Sequence, residues 1–190
     1  MRIIDLAVPT DPLINDISKT KFTRIYHEEG ARQAAGFFGL KQEDFVDGIL
    51  WANGSVELNE HSGTHMDAPI HYAETCEGKP APAIDQVPLE WCYGDGVVLD
   101  FHLKGAGYAI TKKDVIAELK RIDYTLKSGD IVLIRSDADK KLYAPDYMSS
   151  HAGMTAEATI YLIQNGVRVM GTDGWGWDIP LPLAVEKYKQ

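Results

Sequence analysis

Basic residues and cysteine are both scarce in this chain. Nineteen lysines and arginines face 28 aspartates and glutamates, the formal charge is −9, and there are two cysteines in 190 residues. That acidic balance repels phosphate backbones and anionic membrane surfaces, which argues against a nucleic-acid or membrane partner. The densest basic stretch, Lys112 to Arg121, also contains Asp114 and Glu118 and reads as the solvated face of a helix. Cys76 and Cys92 form neither a disulfide framework nor a C-x-x-C pair, so core or surface thiols are expected. No run approaches the ~18 apolar residues of a membrane span. The start, Met1-Arg2-Ile3-Ile4-Asp5-Leu6, meets charge too early for a secretory signal, and a cytoplasmic location is the expectation.

What the chain does have is an ordinary globular composition, 45% hydrophobic and 25% charged, over a length that suits one domain spanning 1–190. Ile3 to Val8 alternates weakly and predicts a short strand, and Phe22 to Tyr26 a second one. Helix and loop are expected between Glu28 and Asp47, interrupted by Gly30, Gly36 and Gly39. Phe37 and Phe38 in that segment are candidates for a pocket wall or for ordinary core. Apolar density from Ile49 to Leu58 predicts a strand that delivers the chain to His61, and the Gly/Pro-rich passage Gly78 to Pro88 predicts a loop ahead of Trp91. The second half is more regular. Strands are expected at Gly96 to Phe101, Asp130 to Arg135 and Val167 to Met170, with helices opened by Thr111 and Thr155 and Gly166 as a C′ residue. Strands mixed with late helices indicate an α/β or α+β architecture.

Glu60-His61-Ser62-Gly63-Thr64-His65-Met66-Asp67-Ala68-Pro69-Ile70-His71 holds three of the six histidines within eleven residues. His61, His65, Asp67 and His71 all occupy odd positions, so an extended backbone projects them to one side. A straight strand at ~3.3 Å per residue would separate the Cα atoms of His61 and His65 by ~13 Å, near the limit for two imidazoles on one ion. The backbone must therefore bend, and Gly63 lies where it can, while Pro69 forbids a regular central strand. Imidazole nitrogens with a carboxylate suit zinc, manganese, iron or cobalt better than calcium or magnesium. Three protein ligands leave positions for water, as catalytic sites do. His71 is open between a second-metal ligand, a general base and a partner that orients a ligand. Asp173 and Asp178 follow a buried strand, where active-site loops often sit, or belong to a simple turn. His27, His102 and His151 stand apart from the cluster.

His61-x-Gly63-Thr64-His65-x-Asp67-Ala68-Pro69-x-His71 resembles the signature of the cyclase family of metal-dependent hydrolases, which includes bacterial kynurenine formamidases and isatin hydrolases. Trp91, Arg135-Ser136, Gly153-Met154 and Gly171-Thr172-Asp173 recur in the same order, so the resemblance covers essentially the whole chain. It implies a swivelling β/β/α fold and hydrolysis of C–N bonds of aryl formamides or cyclic amides with zinc or manganese. By the same resemblance, His61, His65 and Asp67 are ligands of the first ion, Asp67 bridges where a second ion is present, and His71 takes the second-ion or base role. Trp91 is placed near the substrate. Gly176 stands where some relatives have a serine. The family normally continues past the position of Gln190 with a histidine and a glutamate or glutamine, so the expectation is the family fold without its C-terminal part.

The combined reading is a hydrolase acting through metal-activated water, with one or two zinc or manganese ions. Asp67 and His71 are assigned to catalysis, Trp91, Phe37 and Phe38 to a small planar substrate, and His61, His65, Asp67 and His71 to metal. A homodimer or larger homo-oligomer is expected. The alternative is a catalytically impaired metal-binding scaffold or sensor from the same family.

Overall fold

In the computed structural model, which describes residues 2–17 and 19–189, the chain divides into two units, Met1–Met66 and Asp67–Gln190. The first unit is built on β1 (Lys21–Ile25), α1 (His27–Phe38) and β2 (Asn53–Glu57). β1 and β2 pair antiparallel from Lys21 opposite Glu57 to Ile25 opposite Asn53. Between them α1 buries Gly30, Ala31, Ala34 and Ala35. Gly30, a residue that weakens an isolated helix, is required here by close approach: a Cβ would lie 1.9 Å from the Trp51 carbonyl oxygen. Phe37 and Phe38 extend beyond that buried stripe and are exposed, stacking edge to face on each other at 5.0 Å, so they are not core. The strand expected at Ile3 to Val8 does not form, because among the described residues no second strand pairs with it.

The second unit opens with the one-turn helix α2 (Pro69–Tyr72) and the small hairpin β3 (Thr75–Cys76) and β4 (Lys79–Pro80). Its remaining elements are β5 (Gly96–Asp100), β6 (Ala109–Ile110), α3 (Lys112–Arg121), β7 (Ile131–Arg135), β8 (Gly153–Met154), α4 (Ala156–Gln164), β9 (Val169–Thr172) and α5 (Leu181–Lys189). β5, β7 and β9 form a parallel sheet in that order, with Val98 opposite Leu133 and Ile131 opposite Val169. β6 and β8 make a separate parallel pair. Parallel neighbours need crossover connections, which α3 and α4 supply. Alternation along the strands turns Val97, Leu99, Val132 and Ile134 into a core with Val115 and Leu119 of α3 and Ala158 and Leu162 of α4.

Both main helices begin as their residues dictate. Thr111 accepts from the Asp114 amide while Asp114 accepts from the Thr111 amide, a reciprocal cap, and Thr155 accepts from the Ala158 amide. One expectation for α3 fails, since Glu118 is buried and not part of a solvated face. Its carboxylate accepts from the Asp100 amide at the end of β5 and from Arg121, whose guanidinium is the larger influence holding it below its ordinary pKa. A charged position thereby ties helix to strand. Among the described residues no helix is long and apolar enough to cross a membrane.

Candidate metal centre

β2 ends at Glu57, and a tight turn follows in which the Asn59 side chain accepts from the His61 amide at 2.9 Å and its carbonyl from the Ser62 amide at 3.0 Å. Gly63 then adopts φ +67, a conformation other L-residues rarely take, and this is the bend that the histidine spacing demanded. Thr64 holds the far side of the turn by accepting from the Val8 amide at 2.9 Å. The result brings the imidazoles of His61 and His65 to 5.2 Å between centroids at an interplanar angle of 76°.

Ligand atoms of His61, His65 and Asp67 all lie within 4.8 Å of one another. The donor chemistry fits a transition-metal ion. His65 supports the fit further, because its Nδ1 lies 2.9 Å from the Gly63 carbonyl. A ring that donates from Nδ1 carries its lone pair on Nε2, the arrangement of metal-ligating histidines whose other nitrogen is anchored to the backbone. His61 and Asp67 are half-buried and His65 is exposed.

His71 is outside that group of three; it lies on α2 with its ring edge to face on Tyr72 at 4.9 Å. Tyr72 was not singled out by sequence, yet its hydroxyl donates to Asp67 Oδ2 at 2.8 Å. Partial desolvation of that hydroxyl, then the Asp67 carboxylate and the more distant charge of Asp178, push the phenol up to about 12, although the residue as a whole is 69% exposed. The available signal was the Pro69 turn, which folds position 72 back toward position 67. Trp91 lies in a 3₁₀ turn with the Arg168 guanidinium 5.0 Å from its ring centroid.

The later acidic positions have structural work. Asp173 accepts from the Ser136 amide at 2.9 Å, the Ser136 hydroxyl at 2.6 Å and the Asp137 amide at 2.7 Å, clasping the ends of β7 and β9. Ligand atoms of Asp137, Asp139 and Asp173 also lie within 4.8 Å of one another, and Arg135 and Lys140 pair with Asp137. Trp177 donates from Nε1 to the Thr159 hydroxyl at 2.9 Å and packs on the core. His151, apart from the cluster in sequence, is 1% exposed, with Nε2 at 3.1 Å from the Asp178 carbonyl.

A mixed α/β protein with a clustered imidazole–carboxylate donor set is thus defined by fold and site. Residues 4–179 match the model of the Cyclase family, described as "Putative cyclase", and the chain belongs to that family. A kynurenine formamidase of Erythrobacter litoralis (strain HTCC2594) is 32% identical over 120 residues, 63% of this chain and 48% of the relative. The alignment therefore spans about half of that relative's length. Isatin hydrolase A from Ralstonia solanacearum superposes with a TM-score of 0.75 at 21% identity, covering 94% of this chain and 68% of the other. Isatin hydrolase A from Labrenzia aggregata, bound to benzyl benzoate, gives 0.74 at 23% identity over 94% of this chain and 70% of the other. At these identities the two structures establish the fold.

Proposed function

We propose that this chain is a metal-dependent hydrolase that cleaves the C–N bond of a small aryl formamide or cyclic amide. The observation that carries the reading is the approach of His61, His65 and Asp67 ligand atoms to within 4.8 Å. Membership of the Cyclase family and the names of the relatives, a formamidase and two isatin hydrolases, favour an amide substrate. His61 and His65 would hold the ion through ring nitrogens and Asp67 through a carboxylate oxygen, with one or two zinc or manganese ions per chain. Such an ion supplies Lewis acidity toward a carbonyl oxygen and makes water a stronger acid.

The chain's own groups do the rest. The carboxylate of Asp67 balances the cationic charge. His71, four residues beyond it, accepts a proton at a ring nitrogen and returns it to the departing nitrogen of the amide. Trp91, Phe37 and Phe38 offer aromatic faces to a planar substrate. We further assign the working form to a cytoplasmic homodimer or larger homo-oligomer.

Two measurements test the reading. Elemental analysis of the purified protein is expected to find about one or two transition-metal ions per chain, lost in His61→Ala/His65→Ala. Unchanged metal content in the double variant would overturn the ligand assignment. Hydrolysis of N-formylkynurenine and isatin is then followed with and without a chelator. Turnover of at least one is expected, stopped by the chelator and slowed roughly 10² to 10⁴-fold by His71→Ala. Turnover of neither by metal-loaded protein counts against the substrate class.

A further inference from the structure

Tyr72 reaches Asp67 through a device visible in the backbone. Ala68 is extended, Pro69 opens α2 with its φ already fixed, and the bonds from the His71 amide to the Ala68 carbonyl (2.9 Å) and from the Ala73 amide to the Pro69 carbonyl (3.2 Å) close a single turn. That turn carries the Tyr72 hydroxyl back to Asp67 Oδ2 at 2.8 Å, and the His71 ring braces the Tyr72 ring at 4.9 Å. With 69% of its surface exposed, Tyr72 gains little from burial, so this contact is not a by-product of core packing. The neighbouring donor is braced in the same way, His65 by the Gly63 carbonyl at 2.9 Å.

We infer that Tyr72 is a positioning residue for the metal centre: its phenol fixes the plane and rotamer of the Asp67 carboxylate, so that His61, His65 and Asp67 meet an ion as one prearranged set. The inference rests on the reading of that cluster as a metal site. An unbraced carboxylate must be ordered by the ion itself, and the entropy of ordering is then subtracted from affinity. Groups that orient ligands in this way typically contribute 10- to 100-fold in metal affinity. Tyr72 would act without touching the ion, through one hydrogen bond that phenylalanine cannot make.

The test uses metal-free protein titrated with zinc against a chelating dye and with cobalt followed by visible absorption, for the parent, Tyr72→Phe and His61→Ala/His65→Ala. Tyr72→Phe is expected to bind zinc roughly 10- to 100-fold more weakly and to alter the cobalt d–d bands, with thermal unfolding of the metal-free protein unchanged. A purely structural role would lower the unfolding temperature and leave the cobalt spectrum as in the parent. Parent-like affinity and spectrum in Tyr72→Phe would overturn the inference while the site itself stands. A parent that binds neither ion would overturn the site and this inference together, a result distinguishable from the first because it appears before any substitution.

Discussion

His151 is 1% exposed, yet its Nδ1 has no hydrogen-bond partner among the described residues. Burial lowers its pKa below the ordinary histidine value, only partly opposed by the Asp178 carbonyl and the Asp173 charge. The folded state therefore prefers the neutral ring, while the unfolded chain takes up a proton near pH 6.5. Stability from this group is fully present above that value and declines as pH falls from there through the lower folded pKa. Denaturation at a series of pH values should show the decline below about 6.5, and His151→Gln should flatten it. The same slope in the variant would assign the effect elsewhere. Gly174 depends on this ring too, since a Cβ there would sit 2.8 Å from His151 Cβ and Cγ. Asp173 is another residue whose part only the structure shows. Asp173→Asn would set an amide donor among the donors of Ser136 and Asp137, at a cost of about 2–3 kcal/mol, read as a lower midpoint in urea with little change in slope. An unchanged midpoint would refute the clasp.

Elements formed most faithfully where local chemistry and periodicity agree. The reciprocal cap at Thr111 and Asp114 starts α3 at Lys112, where the hydroxyl and the apolar spacing predict it. Thr111→Ala should cost about 1 kcal/mol of stability by denaturant titration, and an effect near zero would mean that tertiary packing alone holds this end. Gly166, at φ +85 after α4, is likewise a residue whose identity announces its conformation. Ile3 to Val8 shows the opposite case. Alternation there is compatible with a strand, but a strand exists only when another pairs with it, and pairing is a property of the assembled sheet. Glu118 failed as a sequence reading for a related reason, because its buried role depends on Asp100, 18 residues away in the chain.

For the molecule as a whole, apolar side chains left on the surface matter most. Phe37 is 84% exposed and Val46 83%, and large exposed apolar groups are common at association surfaces. Light scattering at micromolar concentration is expected to show a dimer or larger species, and monomer alone would refute the assembly assigned above. Local sequence by itself determined the donor chemistry and the bend that gathers it, because His61, Gly63, His65 and Asp67 lie within one short stretch whose geometry is set by a glycine of positive φ. It also determined the starts of α3 and α4 and the segments that form β5 and β7, which follow from hydroxyl caps and apolar periodicity. Tertiary structure alone decided that Glu118 would turn inward to β5 and that His151 would be buried beside Gly174. Each of these depends on where a side chain ends up relative to groups that only the folded backbone brings near, and no local preference of the residue encodes that position.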